Sequence, residues 1–264
     1  MIRFCPLFSS SSGNSVYIGD NCGGILVDVG RSAKQTELML QNIGVDPCEI
    51  KGIFITHEHT DHVNGLSVFA ARHHIPVYGA PGTILSLKQK GVLNIKHTDN
   101  TINEDEICIA GMNIKPVRTS HDCADGRGYV ITGCDGVTKV AIATDTGFVS
   151  PQLLDEIMGS KLVYIESNHD VNMLKTGPYP YMLQKRILSN IGHLSNDACA
   201  DTIKALVNNG STHFVLAHLS MENNTPQLAY NTSTDALKEM GALENRDYVL
   251  KVAEPENTGG IIRI

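Results

Sequence analysis

The sequence has no apolar run that approaches the roughly 20 residues needed to span a bilayer, and it has no tryptophan. Its first residues, Met1 to Pro6, lack the basic end and the long apolar stretch of a signal peptide. We therefore expect a cytoplasmic protein with no membrane partner. The 264 residues, 42% of them apolar, suffice to bury a core without disulfides or a structural metal.

Basic residues are also in short supply. The 21 Lys and Arg residues stand against 28 Asp and Glu, a formal net charge of −7, with no polybasic tail. This balance argues against coating of nucleic acid through bulk charge, although it leaves a local cationic site open. The seven cysteines are scattered and never form a Cys-x-x-Cys pair. We expect reduced thiols rather than a disulfide framework or a zinc knuckle.

No Pro/Gly/Ser-rich linker and no fixed repeat interrupts the chain, which predicts a single domain over residues 1–264. Apolar periodicity predicts strands over 2–8, 15–18, 25–28, 52–56, 76–78, 106–110, 112–118, 129–132, 138–144, 162–166, 214–217, 248–252 and 260–264. It predicts helices over about 33–43, 65–73, 81–91, 150–158, 181–190, 195–209 and 226–240. Strands and helices are thus interleaved twice. The pattern predicts an α/β (α+β) fold of two mixed sheets packed together, with helices outside.

The most informative segment is Thr56-His57-Glu58-His59-Thr60-Asp61-His62, which follows a predicted buried strand. His57 and His59 project together with a two-residue period, while Asp61 and His62 wrap round to a second position. The segment therefore has ligands for two ions, and His and carboxylate suit zinc, manganese or iron. A surface charge cluster is the alternative, but it predicts neither the strand context nor the ligand spacing.

This His-x-His-x-Asp-His signature resembles that of the metallo-β-lactamase-fold hydrolases, which implies a four-layer αββα sandwich with two divalent metal ions at one edge of the sheets. The resemblance implies three further ligands at later strand ends: His121, Asp145 and His218. It assigns His57, His59 and His121 to one metal, Asp61, His62 and His218 to the other, and Asp145 to both. Taken singly, the later three are weak signals, because such residues are more often structural.

Four shorter segments are similar to the YycJ (WalJ)-like group of metal-dependent phosphodiesterases and exonucleases: Ser11-Ser12-Gly13-Asn14-Ser15, Glu166-Ser167-Asn168-His169-Asp170, Gly192-His193-Leu194-Ser195-Asn196 and Ala217-His218-Leu219-Ser220. This resemblance implies a 5′-to-3′ DNA exonuclease. From the residues we hypothesise that a metal-bridging hydroxide attacks phosphorus. The expected substrate is DNA or another phosphodiester. No obligate protein partner is evident.

Beyond the metals, the reaction needs a group that grips the phosphate or protonates the leaving oxygen. His193 is the first candidate and His169 the second, since imidazole titrates in the useful range; the alternative for His193 is packing at a helix entrance. Asp61 is expected to orient the hydroxide. The small-residue segment 8–15 is either an anion cradle or a plain hairpin turn. The weaker substrate candidates are Ser10, Asn14, Asn168 and Ser195.

Four cationic side chains are candidates for contact with a phosphate backbone, although a solvated face is the better interpretation for most of them: Arg118, Arg127, Lys185 and Arg186. Three other functions stay open: a hydrolase of a small cyclic phosphodiester, a glyoxalase-type thioester hydrolase and a metal-free binding protein on the same fold. Glyoxalase-type thioester hydrolases usually have a helical module after the catalytic core, whereas here His218 lies only 46 residues from the end. Metal-free proteins on this fold usually lack some of the metal ligands, whereas this sequence has all seven.

Overall fold

The computed structural model describes residues 1–264. The strands are β1 Arg3–Ser10, β2 Gly13–Asp20, β3 Gly23–Val27, β4 Ile50–Ile55, β5 Val77–Gly79, β6 Asp99–Thr101, β7 Ile107–Ile109, β8 Met112–Arg118, β9 Arg127–Thr132, β10 Lys139–Ala143, β11 Leu162–Glu166, β12 His213–Ala217, β13 Val249–Val252 and β14 Ile262–Arg263. The helices are α1 Ala33–Asn42, α2 Thr60–Val63, α3 Leu66–His73, α4 Pro81–Gln89, α5 Pro151–Ile157, α6 Val171–Thr176, α7 Tyr181–Ile187, α8 Asn196–Asn208 and α9 Pro226–Glu239. None of these helices is long and apolar enough to cross a membrane.

The strands form two seven-stranded sheets, in the orders β14-β1-β2-β3-β4-β5-β6 and β13-β12-β11-β10-β9-β8-β7. In the first sheet β1, β2 and β3 pair antiparallel, whereas β3, β4, β5 and β6 pair parallel. In the second, β10 to β13 are parallel and β7 pairs antiparallel with β8. Both sheets are therefore mixed, which confirms the predicted fold class.

The chain divides into two compact units. Unit 1 comprises Met1–Pro116, Cys123–Thr138 and Glu254–Ile264, and unit 2 comprises Val117–Asp122 and Lys139–Ala253. In unit 1, Ile53, Phe54 and Ile55 of β4 are fully buried, as expected for a parallel strand that is covered on both faces. The Phe54 ring stacks on Tyr78 at 4.9 Å and meets the edge of Tyr129 at 5.5 Å. This packing fixes the carboxyl end of β4, from which the His-rich segment continues.

In unit 2, β10, β11 and β12 are almost wholly buried parallel strands. Their carboxyl ends lead directly to Asp145, Glu166 and His218. Because parallel strands present their carboxyl ends at one edge of a sheet, the three side chains are brought to the same edge of this unit. Helix α8 begins at the N-cap Ser195, whose hydroxyl accepts from the Ala198 N–H at 3.2 Å.

Segment 8–15 forms a tighter hairpin than the predicted strands 2–8 and 15–18 imply. Strand β1 extends to Ser10 and β2 starts at Gly13, so Ser11 and Ser12 alone form the turn. The reason is that Ser9 and Ser10 continue the antiparallel pairing with Asn14 and Gly13. The structure also has β6, α2 and α6, which were not predicted. They are three to six residues long, too short for a clear apolar period.

Candidate metal centre

The His-rich segment of unit 1 holds its four predicted ligands close together. His57 Nε2 lies 3.0 Å from His59 Nδ1, and the rings of His57 and His62 are 4.1 Å apart. The carboxylate Oδ2 of Asp61 lies 3.4 Å from His62 Nε2. The short helix that starts at Thr60 turns Asp61 and His62 back toward the first two histidines. Imidazole nitrogens and a carboxylate oxygen this close together are a suitable donor set for a divalent cation.

Asp28 and Thr56 hold these histidines from behind. Asp28 accepts from the Thr56 backbone N–H and from its hydroxyl, both at 2.8 Å, and its Oδ2 lies 2.7 Å from His62 Nδ1. The Thr56 hydroxyl oxygen lies 3.0 Å from His57 Nδ1. An oxygen acceptor beside Nδ1 fixes the tautomer and leaves Nε2 for a metal. Complete burial raises the pKa of Asp28, although His62 and Thr56 oppose that rise.

Asn14, a predicted substrate residue, lies against this cluster. Its Nδ2 is 3.3 Å from Asp61 Oδ2 and 3.1 Å from His62 Nε2. Its Oδ1 accepts from the backbone N–H of Ser10 at 3.2 Å. The Ser10 side chain is buried and its hydroxyl is 2.8 Å from that of Ser12. Asn14 therefore reaches two of the predicted ligands, whereas Ser10 supports the turn. Substrate contact by either residue stays a prediction.

The ligands predicted for unit 2 gather around His193. Its ring lies 5.0 Å from that of His121 and 5.3 Å from that of His218. Asp145 Oδ1 is 3.2 Å from His218 Nδ1 and 3.8 Å from His193 Nδ1. The Nδ1 of His121 lies 3.0 Å from the carbonyl oxygen of Gly192. Unit 2 thus contributes a second group of imidazoles and carboxylates.

Glu166 organises this second group. Its Oε1 accepts from Nδ1 of His193 at 2.8 Å and from Nδ1 of His218 at 2.9 Å. Its Oε2 accepts from the backbone N–H groups of Thr146 at 2.9 Å and Leu194 at 3.2 Å. Burial alone would raise the pKa of Glu166, but the charge and hydrogen bonds of the two histidines lower it, so the carboxylate is ionised.

The same pair sets the protonation of His193. Burial favours its neutral form, but the charge of Glu166 and the hydrogen bond to it raise the pKa of His193 above its usual value. With Nδ1 donating to Glu166, the opposite nitrogen, Nε2, is available to donate elsewhere. The His193 side chain is 19% exposed, so a substrate can reach it.

Three residues of these clusters have left-handed backbone conformations, which non-glycine residues seldom adopt. They are Asp28 at φ 63°, Asp145 at φ 54° and His218 at φ 54°. Asp28 and His218 directly follow the last residue of a buried strand, and Asp145 lies two residues after the end of β10. Strained conformations of this kind persist where surrounding structure holds them, and they cluster at active sites. Here the sharp turn redirects the side chain at the end of a strand.

The other predicted residues of unit 2 have clear structural positions. His169 is only 1% exposed, and burial lowers its pKa to about 4, so it is neutral at pH 7. Asn168 donates from Nδ2 to the carbonyl oxygen of His218, a predicted ligand, at 2.8 Å. The Ser195 hydroxyl caps α8. Catalysis by His169 and substrate contact by Asn168 and Ser195 stay predictions.

Among the four candidate cations, the structure removes Arg127 from those available to a phosphate. It is buried, and its Nη1 donates to Asp125 Oδ1 at 2.5 Å and to the Gly126 carbonyl at 2.9 Å. Arg186 is half exposed and forms an ion pair with Asp122, the neighbour of His121. Lys185 lies 4.8 Å from the centroid of the Tyr181 ring. Arg118 is exposed.

Sequence reasoning missed Asp28 and gave no role to Glu166, although it singled out the segment that Glu166 opens. Both follow or end a buried strand, as the predicted ligands do. That position is the signal that would have found them, because residues at the carboxyl ends of neighbouring parallel strands converge. Gly192, which acts through its carbonyl group, leaves no signal of this kind.

The metallo-beta-lactamase superfamily model matches residues 10–208. The chain belongs to this superfamily. The exodeoxyribonuclease YycJ of Bacillus anthracis is 34% identical to it over 242 residues, which are 91% of this chain and 90% of the relative. The exodeoxyribonuclease WalJ of Streptococcus pneumoniae serotype 2 is 30% identical over 265 residues, 99% of this chain and 98% of the relative. The predicted family resemblance is therefore confirmed.

Among solved structures, the metallo-beta-lactamase fold protein YhfI from Bacillus subtilis aligns over 100% of both chains with a TM-score of 0.74 and 14% sequence identity. This likeness confirms the predicted metallo-β-lactamase fold. Membership in the superfamily implies divalent metal ions, and the His and Asp side chains of each unit suit them: the histidines rest on oxygen acceptors through Nδ1, as metal-binding histidines do.

Proposed function

We propose that the protein is a dinuclear-metal-dependent phosphodiesterase that acts as a 5′-to-3′ DNA exonuclease. One observation carries the metal-dependent part. An oxygen acceptor lies within 3.0 Å of Nδ1 in each of four predicted ligand histidines: His57, His62, His121 and His218. Buried structural histidines have no need of such a common arrangement, whereas metal ligands use it to aim Nε2 at the ion.

The proposed ligands are the seven residues named by the signature: His57, His59, Asp61, His62, His121, Asp145 and His218. The same donor types suit zinc, manganese or iron. Two such ions, when bound, supply a nucleophile at neutral pH and stabilise the charge that develops on phosphoryl oxygens.

Side chains of the protein orient the attacking water and supply the proton for the scissile phosphate or the leaving oxygen. We assign to Asp61, which Asn14 holds, the role of accepting a hydrogen bond from the attacking water. His193 is held by Glu166 through Nδ1, so its proton at Nε2 is the one offered to the scissile phosphate or the leaving oxygen. His169 is the second candidate for that step. Ser10, Asn14, Asn168 and Ser195 are the proposed, weaker substrate contacts.

DNA as the substrate is supported by relatives whose names describe exodeoxyribonucleases and which match nearly the whole chain. We propose a reducing, cytoplasmic location on the ground that the seven cysteines are scattered along the sequence and form no Cys-x-x-Cys pair. The exposed cations Lys185 and Arg186 offer a local contact for a phosphate backbone despite the acidic total charge.

The test is degradation of DNA labelled at the 5′ or the 3′ end, single-stranded and duplex, with zinc or manganese added. A 5′-to-3′ exonuclease releases the 5′ label first as a mononucleotide and leaves the 3′ label on shortening fragments. Bis-p-nitrophenyl phosphate, a cyclic dinucleotide and a glutathione thioester serve as comparison substrates. Turnover of the cyclic dinucleotide or the thioester without degradation of DNA would overturn the proposal.

A further inference from the structure

Three hairpin turns of unit 1 meet at a point where two exposed cysteines face one buried carboxylate. The turns are Asn21-Cys22 between β2 and β3, Ala110-Gly111 between β7 and β8, and the turn that contains Cys134 after β9. The donor atoms of Asp20, Cys22 and Cys134 all lie within 4.8 Å of one another. The two cysteines are 112 positions apart in the sequence, so only the fold brings them together.

Hydrogen bonds fix the carboxylate between the two cysteines. Asp20 is 5% exposed; its Oδ1 accepts from the backbone N–H of Cys22 at 2.8 Å and its Oδ2 accepts from the Cys134 thiol at 2.5 Å. The carbonyl oxygen of Ala110 lies 3.8 Å from Cys134 Sγ. Two sulfur atoms and one carboxylate oxygen are therefore in place, with a backbone oxygen beside them.

The third turn leaves room for this cluster. A Cβ atom at Gly111 would lie 2.7 Å from Cys134 Sγ and 3.7 Å from Cys22 Sγ, and Gly111 has φ 73°. Glycine therefore meets both the conformational and the spatial requirement, since a side chain there would push Cys134 away from Asp20.

From this convergence we propose that Asp20, Cys22 and Cys134 form a second metal site, which binds one thiophilic divalent cation of the zinc and cadmium class. Thiolate sulfur and carboxylate oxygen are established zinc donors, with bonds of roughly 2.0–2.3 Å. Donors around such an ion are about 3–4 Å apart, which small side-chain rotations reach from the observed spacing. Binding releases the two thiol protons to solvent.

The site is separate from the ligand cluster of unit 1. Strand β3 has Asp20 and Cys22 just before its first residue and Asp28 just after its last. Five residues of extended chain, about 16 Å, lie between them. The cysteine site thus lies at the opposite end of the strand from His57 and His62, and it adds to the proposed function without resting on it.

The test is a cadmium titration of the zinc-loaded protein under reducing, anaerobic conditions. The ultraviolet charge-transfer band between thiolate and cadmium is recorded at each addition. The band reports sulfur ligands alone, so exchange at a His and Asp site leaves it unchanged. We expect the wild type to saturate at one cadmium ion per chain. The double variant Cys22→Ser/Cys134→Ser should lose the band, and Cys48→Ser and Cys108→Ser, which alter other exposed cysteines, should keep it.

Asp20→Asn provides the second arm. It keeps an acceptor for the Cys22 N–H but removes the anionic ligand, so cadmium affinity should fall by roughly 10-fold or more while the sulfur band survives. Circular dichroism checks that each variant is folded, and phosphodiesterase activity of the cysteine variants should match the wild type. Absence of the band in the wild type, its persistence in the double variant, or unchanged affinity in Asp20→Asn would each overturn the site.

Discussion

At the scale of single residues, the buried carboxylate of Glu166 orients two histidines of unit 2, His193 and His218. It accepts four hydrogen bonds, two from imidazoles and two from backbone N–H groups. Since all four partners are donors, the position requires a group that only accepts. An ionised carboxylate meets that requirement, and its negative charge also keeps a proton on His193.

Glu166→Gln should weaken metal binding without unfolding the protein. The amide NH₂ would face donors on one side, so either the histidines or the backbone N–H groups lose their acceptor. Loss of a carboxylate behind ligand histidines typically costs 10–100-fold in metal affinity, and we expect that loss here. Equilibrium dialysis against a graded chelator measures it. The matched control is Asp155→Asn on the exposed face of α5, which should leave metal affinity unchanged.

His193→Ala should separate catalysis from metal binding. If His193 delivers the proton, kcat should fall by about 10²–10⁴-fold, while metal content stays at the wild-type level. His213→Ala, at the opposite end of β12 from His218, is the control and should retain activity. If His193→Ala instead loses metal, His193 is a structural residue or a metal ligand, and the proton-delivery role is wrong.

At the scale of elements, the sequence predicts what local pattern determines. Buried strands such as β4 and β12 are continuous apolar runs, and α8 and α9 begin at Ser195 and Thr225 with Ser/Thr caps. Pairing between strands is not local. The parallel neighbourhood of β3 and β4 puts Asp28 behind His62, and three converging turns put Cys22 beside Cys134. Neither contact can be predicted from one of the two segments alone, because each depends on how distant parts of the chain pack.

The N-cap of α8 provides a test at this scale. Ser195→Ala removes the hydroxyl that accepts from Ala198, and the free energy of unfolding should fall by about 1 kcal/mol. Ser195→Thr keeps a capping hydroxyl and should restore most of that loss. Urea denaturation measures both. If capping is the main role, KM for DNA stays constant in both variants; a KM that rises in Ser195→Ala and recovers in Ser195→Thr would favour the predicted substrate contact.

At the scale of the whole molecule, the net charge of −7 limits how nucleic acid is held. Such a surface repels a polyanion outside a small area, so affinity must come from the metals and from a few cations. In unit 2, helix α7 has two exposed cations: Arg186 pairs with Asp122, the neighbour of His121, and Lys185 contacts the Tyr181 ring. We therefore expect the protein to contact two or three phosphates rather than a long duplex.

The salt dependence of DNA affinity measures how many phosphates the protein contacts. Each phosphate contact contributes a slope of about −0.7 to −0.9 in log affinity against log salt, so two or three contacts predict a slope of about −2 for DNA. Hydrolysis of bis-p-nitrophenyl phosphate, which has no neighbouring phosphates, should be nearly flat. Lys185→Ala should reduce the DNA slope by roughly one contact, whereas Lys96→Ala, exposed on unit 1, should not. A flat profile for DNA would mean that only the scissile phosphodiester is bound, and would favour a small substrate for this acidic protein.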